Sequence, residues 1–324
     1  MSENCDSIHL GVKISPRPTD EDLRFASQLG VEYVYTWQKE EQIDIDYLVE
    51  LKRKVESFGL VLYNVGAAGL GKNDKIHLAL PGRDEAIERF AAFIRNLGKA
   101  GIGTTTFTWE QAGVRSTKKE PTRGGAIARA VNMDVLAQEP PSHPGVFTDD
   151  DMWENFAYFM SRIIPVAEAA GVRLALHPND PPVPSIGGIP CLIHSFESYK
   201  RAFEIGDSDS LGMEFCTGCW LEGGEKFGDI LAGIRYFVER KKVFIVHFRN
   251  VSSPLPHFVE SFLDDGYMDM AKVMQTFCNA GYDGSLILDH TPLMAGSTDD
   301  RTPTAYAIGY IKGLMRQDRK SSQS

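Results

Sequence analysis

The segment EAAGVRLALHPND, Glu168 to Asp180, contains the unit from which the chain is built. A helical stretch ends in Ala-Gly, a short β-prone run follows, and the chain then turns through His-Pro-Asn-Asp. Gly171 is the informative residue, because a glycine just past a helix accepts the left-handed backbone that ends it. Gly30, Gly59, Gly101 and Gly281 stand in the same place, each just before another β-branched or aromatic run.

Candidate strands fall at 8–13, 31–37, 60–65, 102–109, 172–177, 211–216, 243–248 and 285–290. Helical periods occupy the segments near 20–29, 43–58, 83–100, 149–170, 196–205, 226–240, 267–280 and 303–315. In the third of these helices Phe90, Phe93, Ile94 and Leu97 share one face. Eight such units predict a single (β/α)8 barrel, a TIM barrel, over residues 1–324. A doubly wound open sheet fits less well, since no Gly-x-Gly-x-x-Gly opens the first helix. Two connections are long, residues 110–148 after strand 4 and HPNDPPVPSIGGIPCLIHS after strand 5. Both fall on the C-terminal face, where long loops carry function.

Net charge is −10, so no basic excess is available to displace counterions from a nucleic acid. No run approaches the length of a membrane span. The N-terminal MSENCDSIHLGVKISP lacks a basic segment followed by an apolar one, and a cytoplasmic protein is expected. The five cysteines, Cys5, Cys191, Cys216, Cys219 and Cys278, are odd in number and without framework spacing, and are expected as free thiols.

In a barrel the C-terminal ends of the strands carry the chemistry. The last four strands end at or beside His177, Cys216, His247 and Asp289, all metal-ligand types on neighbouring strands. Taken singly, each has an ordinary structural reading. Their coincidence predicts a metal site. Imidazole and thiolate together exclude an all-oxygen Mg²⁺ or Ca²⁺ cage and leave Mn²⁺, Fe²⁺, Zn²⁺ or Co²⁺. Of the Cys216-x-x-Cys219 pair only Cys216 is at the strand end, so the two sulfurs are expected to differ. Around the mouth, Arg249 has the fork to take a substrate carboxylate. His290 has the pKa for acid–base work. Asn250, Asp180, Trp37 and Trp109 are candidates for substrate contact. The segment STKKEPTRGG, within 110–148, reads either as a mobile solvated loop or as a lid whose Lys118, Lys119 or Arg123 meets an anionic substrate.

ALHPNDPP (175–182), GMEFCTG (212–218), VHFRNV (246–251), DDGYMDM (264–270), LDH (288–290) and AIGYIKGL (307–314) together resemble the landmark segments of the mannonate dehydratases. The resemblance is strong over roughly residues 155–315 and holds only in rhythm before them. It implies a xylose isomerase-like barrel that binds Mn²⁺ or Fe²⁺ and removes water from D-mannonate, giving 2-keto-3-deoxy-D-gluconate. It carries the ligand roles onto His177, Cys216, His247 and Asp289, an acid–base role onto His290, and places Arg249 after the third ligand motif. The chain departs from the family pattern at Asn179 and Thr291, and after strand 2, where YTWQKEE replaces His-His. At the catalytic tyrosine it has Ala305, with Tyr306 one position later as the substitute. An isomerase or epimerase on the same barrel, or a non-catalytic sugar-acid binder, are the competing readings. A small sugar acid is the expected partner, together with self-association.

Overall fold

A computed structural model describes residues 5–321 except 112 and 298, so residues 1–4 of the N-terminal reading lie outside it. All eight expected strands form: β1 (His9–Lys13), β2 (Tyr33–Gln38), β3 (Val61–Ala67), β4 (Thr104–Thr108), β5 (Arg173–His177), β6 (Leu211–Cys216), β7 (Val243–Phe248) and β8 (Ser285–Leu288). Their order in the sheet is β3-β2-β1-β8-β7-β6-β5-β4, and every pairing is parallel. The two ends of that order, β3 and β4, lie side by side. Across this seam Asn64 Nδ2 donates to Thr106 Oγ1 at 2.9 Å. The result is a near-closed barrel of parallel strands.

The main helices around it are α1 (Asp20–Gln28), α2 (Ile45–Glu56), α3 (Arg83–Ala100), α4 (Asp149–Ala170), α5 (Phe196–Gly206), α6 (Ile230–Glu239), α7 (Met270–Asn279) and α8 (Arg301–Ser321). The five helix-ending glycines all take positive φ, 65, 72, 69, 65 and 75° in chain order. Phe90, Phe93, Ile94 and Leu97 are fully buried, and each side chain of that size contributes about 1.5–3 kcal/mol by leaving water. Among the described residues no helix is long and apolar enough to cross a membrane.

The cysteine expectation needs one correction. Cys5 and Cys278 are joined in a disulfide, with a Cα–Cα distance of 4.9 Å. The turn Cys5–Ser7 packs against α7 and α8, which brings the first and last parts of the chain together. The other three cysteines are free and buried.

The segment 110–148 is folded rather than loose. Thr117 N–H donates to the Ala130 carbonyl at 2.9 Å, and Glu120–Pro121 pairs antiparallel with Ile127–Ala128, making a hairpin. Ile127 exchanges two backbone hydrogen bonds with Leu293, just after β8. Ala130–Asn132 pairs with His257–Ser261 of the β7–α7 connection. These bonds fix the hairpin beside the C-terminal ends of β7 and β8.

Candidate active site

Strand register does the first part of the assembly. Cys216 lies opposite His247, and His177 opposite Thr108. A donor atom from each of His177, Cys216 and His247 lies within 4.8 Å of the other two. Asp289 flanks the group, with its carboxylate oxygens 3.8 Å from Cys216 Sγ and 3.6 Å from His247 Nδ1.

The imidazoles are oriented from behind. His177 Nδ1–H donates to the Pro178 carbonyl at 2.7 Å, which leaves the lone pair on Nε2. His247 Nε2 lies 2.7 Å from Glu214 Oε1, out of line for a hydrogen bond, so both nitrogens of this buried ring lack one. A buried imidazole without hydrogen bonds beside a thiol and two carboxylates is a donor set that fits a divalent cation. Glu214 was missed in the sequence. It is the lone acid of an otherwise apolar strand, two residues before Cys216 and therefore on the same face.

The electrostatics agree with this fit. Burial opposes a Cys216 thiolate, yet Cys219, the Arg249 charge and the neighbouring imidazoles of His177 and His247 hold the thiol well below its usual range. Burial and the adjacent Cys216 push Cys219 well above it. Burial likewise opposes charge on His247, but Glu214 and Asp289 raise its pKa well above the ordinary value. For His177, hydrogen bonding and attraction to Cys216 outweigh burial in the same direction.

Beside this group is a second set of ligand types, Asp180, Cys219 and Glu222, also mutually within 4.8 Å. Its centre is taken by Arg249, which is fully buried. Arg249 Nη1 donates to Glu222 at 2.7 Å and Glu260 at 2.6 Å, and Nη2 to Asp180 at 3.3 Å and Cys219 Sγ at 3.7 Å. Gly218 makes room, since a Cβ there would sit 2.2 Å from Arg249 Nε. The same guanidinium reaches Cys216 Sγ at 3.5 Å and Asp289 at 3.0 Å. Arg129, from the folded 110–148 segment, adds a bond to Asp180 at 2.6 Å and one to Glu260 at 3.2 Å.

Several residues expected at substrate contact are buried and engaged by the protein's own groups. Arg249 is fully buried and already paired with Asp180, Glu222, Glu260 and Asp289. Asp180 is held by the two arginines. Asn250 is fully buried, its amide donating to the Leu263 and Met268 carbonyls. Trp109 is 1% exposed and packs on His77, Phe156 and Phe159, which leaves no free ring face. Trp37 is half-buried near the mouth, with Lys72 Nζ 5.7 Å from its ring centroid. Tyr306 is exposed, and its hydroxyl is engaged by Asp264 at 2.9 Å and Arg123 at 3.2 Å rather than by the metal-ligand group.

His290 is where the sequence reading put it. Its side chain is 48% exposed, Nδ1–H donates to Glu260 at 2.9 Å, and Nε2 lies 3.4 Å from Asp289. Attraction to Asp289 outweighs burial and, with Glu260, raises its pKa. Asp289 and His290 line a cleft of about 690 Å³ that also runs past the end of β1, the hairpin and the start of α8.

A family model for D-mannonate dehydratase (UxuA) matches residues 145–322 of the chain. The chain belongs to the D-mannonate dehydratase family. A mannonate dehydratase of Streptococcus pneumoniae (strain 70585) is 28% identical over 318 residues, covering 86% of this chain and 84% of that protein. The crystal structure of mannonate dehydratase from Streptococcus suis serotype 2 superposes with a TM-score of 0.86 at 26% identity, covering 97% and 96% of the two chains. A xylose isomerase domain protein from Planctomyces limnophilus shares the fold, with a TM-score of 0.65 at 14% identity over 96% of this chain and 98% of that one. The family match covers all four strand ends that supply the metal-ligand group, and the fold likeness extends through the N-terminal half.

Proposed function

We propose that the protein is a hydro-lyase that converts D-mannonate to 2-keto-3-deoxy-D-gluconate and water, using a divalent ion held by His177, Cys216, His247 and Asp289. The observation that carries this is the convergence of those four side chains beside an accessible cleft, in a chain whose family is named for the reaction. Mn²⁺ or Fe²⁺ is the proposed ion, and the mixed donor set also admits Zn²⁺ or Co²⁺. Such an ion supplies Lewis acidity, stabilising negative charge on substrate oxygens when the C2 proton leaves.

The chain's own residues do the rest. Glu214 and the Pro178 carbonyl aim the two imidazoles. Arg249 neutralises Cys216 and Asp289 from beneath. Glu260 holds His290 Nδ1, so that Nε2 faces the cleft side, takes the C2 proton and passes it to the departing 3-hydroxyl, which leaves as water. The Tyr306 hydroxyl, tied to Asp264 and Arg123, is not on this proton path. The reading takes residues 1–324 as one barrel domain and keeps the cytoplasmic location and self-association expected from sequence.

The test is purified protein, stripped and reloaded with Mn²⁺, Fe²⁺, Zn²⁺ or Co²⁺, assayed on a panel of aldonates for 2-keto-3-deoxy acid. Turnover of D-mannonate with Mn²⁺ or Fe²⁺ is expected. No turnover of any aldonate, with metal demonstrably bound, contradicts the reading.

A further inference from the structure

With Arg249 buried, an anionic substrate needs another cation, and two of the four lysines and arginines lining the cleft beside His290 are unpaired. Its charged lining residues sort by what already engages them. Arg129 is paired with Asp180 and Glu260, and Arg301 with Glu21 and Asp22. Glu260 and Asp289 are held by Arg249 and His290. Lys13 and Lys119 also line the cleft, both exposed, and among the described residues neither makes an ion pair or hydrogen bond. Against these two charges stands Asp300, exposed and without an ion pair among the described residues.

The backbone positions of both lysines are fixed. Lys13 is the last residue of β1, in register with Tyr35 of β2. Lys119 is at the foot of the hairpin, between Thr117, bonded to Ala130, and Glu120, whose carboxylate meets His257 Nε2 at 2.9 Å. The other two cations of the basic segment are placed differently. Lys118 does not line the cleft. Arg123 is committed to Asp264, Asp265 and the Phe262 ring.

We propose that Lys13 and Lys119 form the anion subsite of this cleft and bind one edge of the sugar acid's carboxylate, leaving its other edge and the C2–C3 bond toward Asp289 and His290. A carboxylate shared between two ammonium groups gains charge-assisted hydrogen bonds that a neutral sugar cannot make. The site therefore selects an acid over an aldose. The identity of the acid rests on the dehydratase reading, whereas the preference for an anion rests on the cleft alone.

Steady-state kinetics on D-mannonate with the Mn²⁺-loaded protein test this. Lys13→Gln and Lys119→Gln should each raise KM by about tenfold or more while kcat stays within about threefold. Bound metal should not change, Lys119→Arg should restore most of the KM, and Lys118→Gln should match wild type. Unchanged KM in both glutamine variants of an active enzyme overturns the subsite and leaves the dehydratase reading intact. If wild type turns over no aldonate, calorimetric binding of D-mannonate reads the subsite directly. Wild-type binding weakened about tenfold by Lys119→Gln supports it. No binding to wild type, or equal binding to the variant, overturns it.

Discussion

Two groups of metal-ligand side chains lie next to each other at the barrel mouth, and they have opposite fates. His177, Cys216 and His247 bring together donor atoms, with both His247 nitrogens unbonded and carboxylates behind them. Asp180, Cys219 and Glu222 meet the same distance criterion, yet a fully buried arginine already fills their centre. Cys216 and Cys219 are three residues apart, and the environment lowers the pKa of the first and raises that of the second. Residue type and spacing do not make a cation site. What matters is whether the protein has supplied its own cation.

The largest expected effect separates the two sulfurs. Cys216→Ser should weaken metal binding by about 100-fold or more and remove nearly all activity, as loss of a ligand does. Cys219→Ser should keep metal content and kcat within about threefold, because its sulfur belongs to the group filled by Arg249 and a serine hydroxyl can still donate to Cys216. Equal losses from both, read by metal analysis and turnover, would erase the distinction.

Next comes the arginine. Arg249→Ala leaves Asp180, Glu222 and Glu260 buried with Arg129 as their remaining arginine. Breaking a buried pair in this way costs about 3–5 kcal/mol of stability, measurable by urea unfolding. By contrast, the exposed Arg123→Ala should cost at most about 1 kcal/mol. An Arg249→Ala protein as stable as wild type would mean that the carboxylates are protonated in the fold.

A third buried imidazole sharpens the comparison by having no carboxylate beside it. Burial, with the Lys72 charge added, lowers the pKa of His77 from 6.5 to about 3. The unfolded chain therefore takes up a proton below pH 6.5 that the fold refuses until about pH 3. Stability falls with pH across that window, by about 2 kcal/mol at pH 5 from this residue. His77→Gln should lose that much less than wild type between pH 7.5 and 5, and equal losses would show that His77 is not held neutral.

The barrel was legible because each strand is a short apolar run, and five of the eight follow a helix-ending glycine. Boundaries moved by one to three residues in most elements. His177, Cys216, His247 and Asp289 were legible because strand ends of a barrel converge whatever the loops do. The buried pairing of Arg249 with Asp180 was not legible, because strand-end position alone does not reveal a partner. Their partners, Glu222, Glu260 and Arg129, come from a two-turn helix, from the β7–α7 connection and from the 110–148 segment. The hairpin at 117–130 was hidden for the same reason, since its pairing with residues 257–261 and 293 joins stretches more than 120 residues apart. Glu214 was readable but overlooked, an acid that an otherwise apolar strand would not carry without a use. Cys5 and Cys278 gave no sequence signal for their pairing across the chain's length.

The central claim concerns which group takes an ion. Crystals of the Mn²⁺-loaded protein, measured near the manganese absorption edge, locate the metal directly. The expected result is one anomalous peak bounded by His177, Cys216, His247 and Asp289, with Arg249 still among Asp180, Cys219 and Glu222. A peak within the Asp180–Cys219–Glu222 group with Arg249 displaced, or no peak at either, would contradict the account.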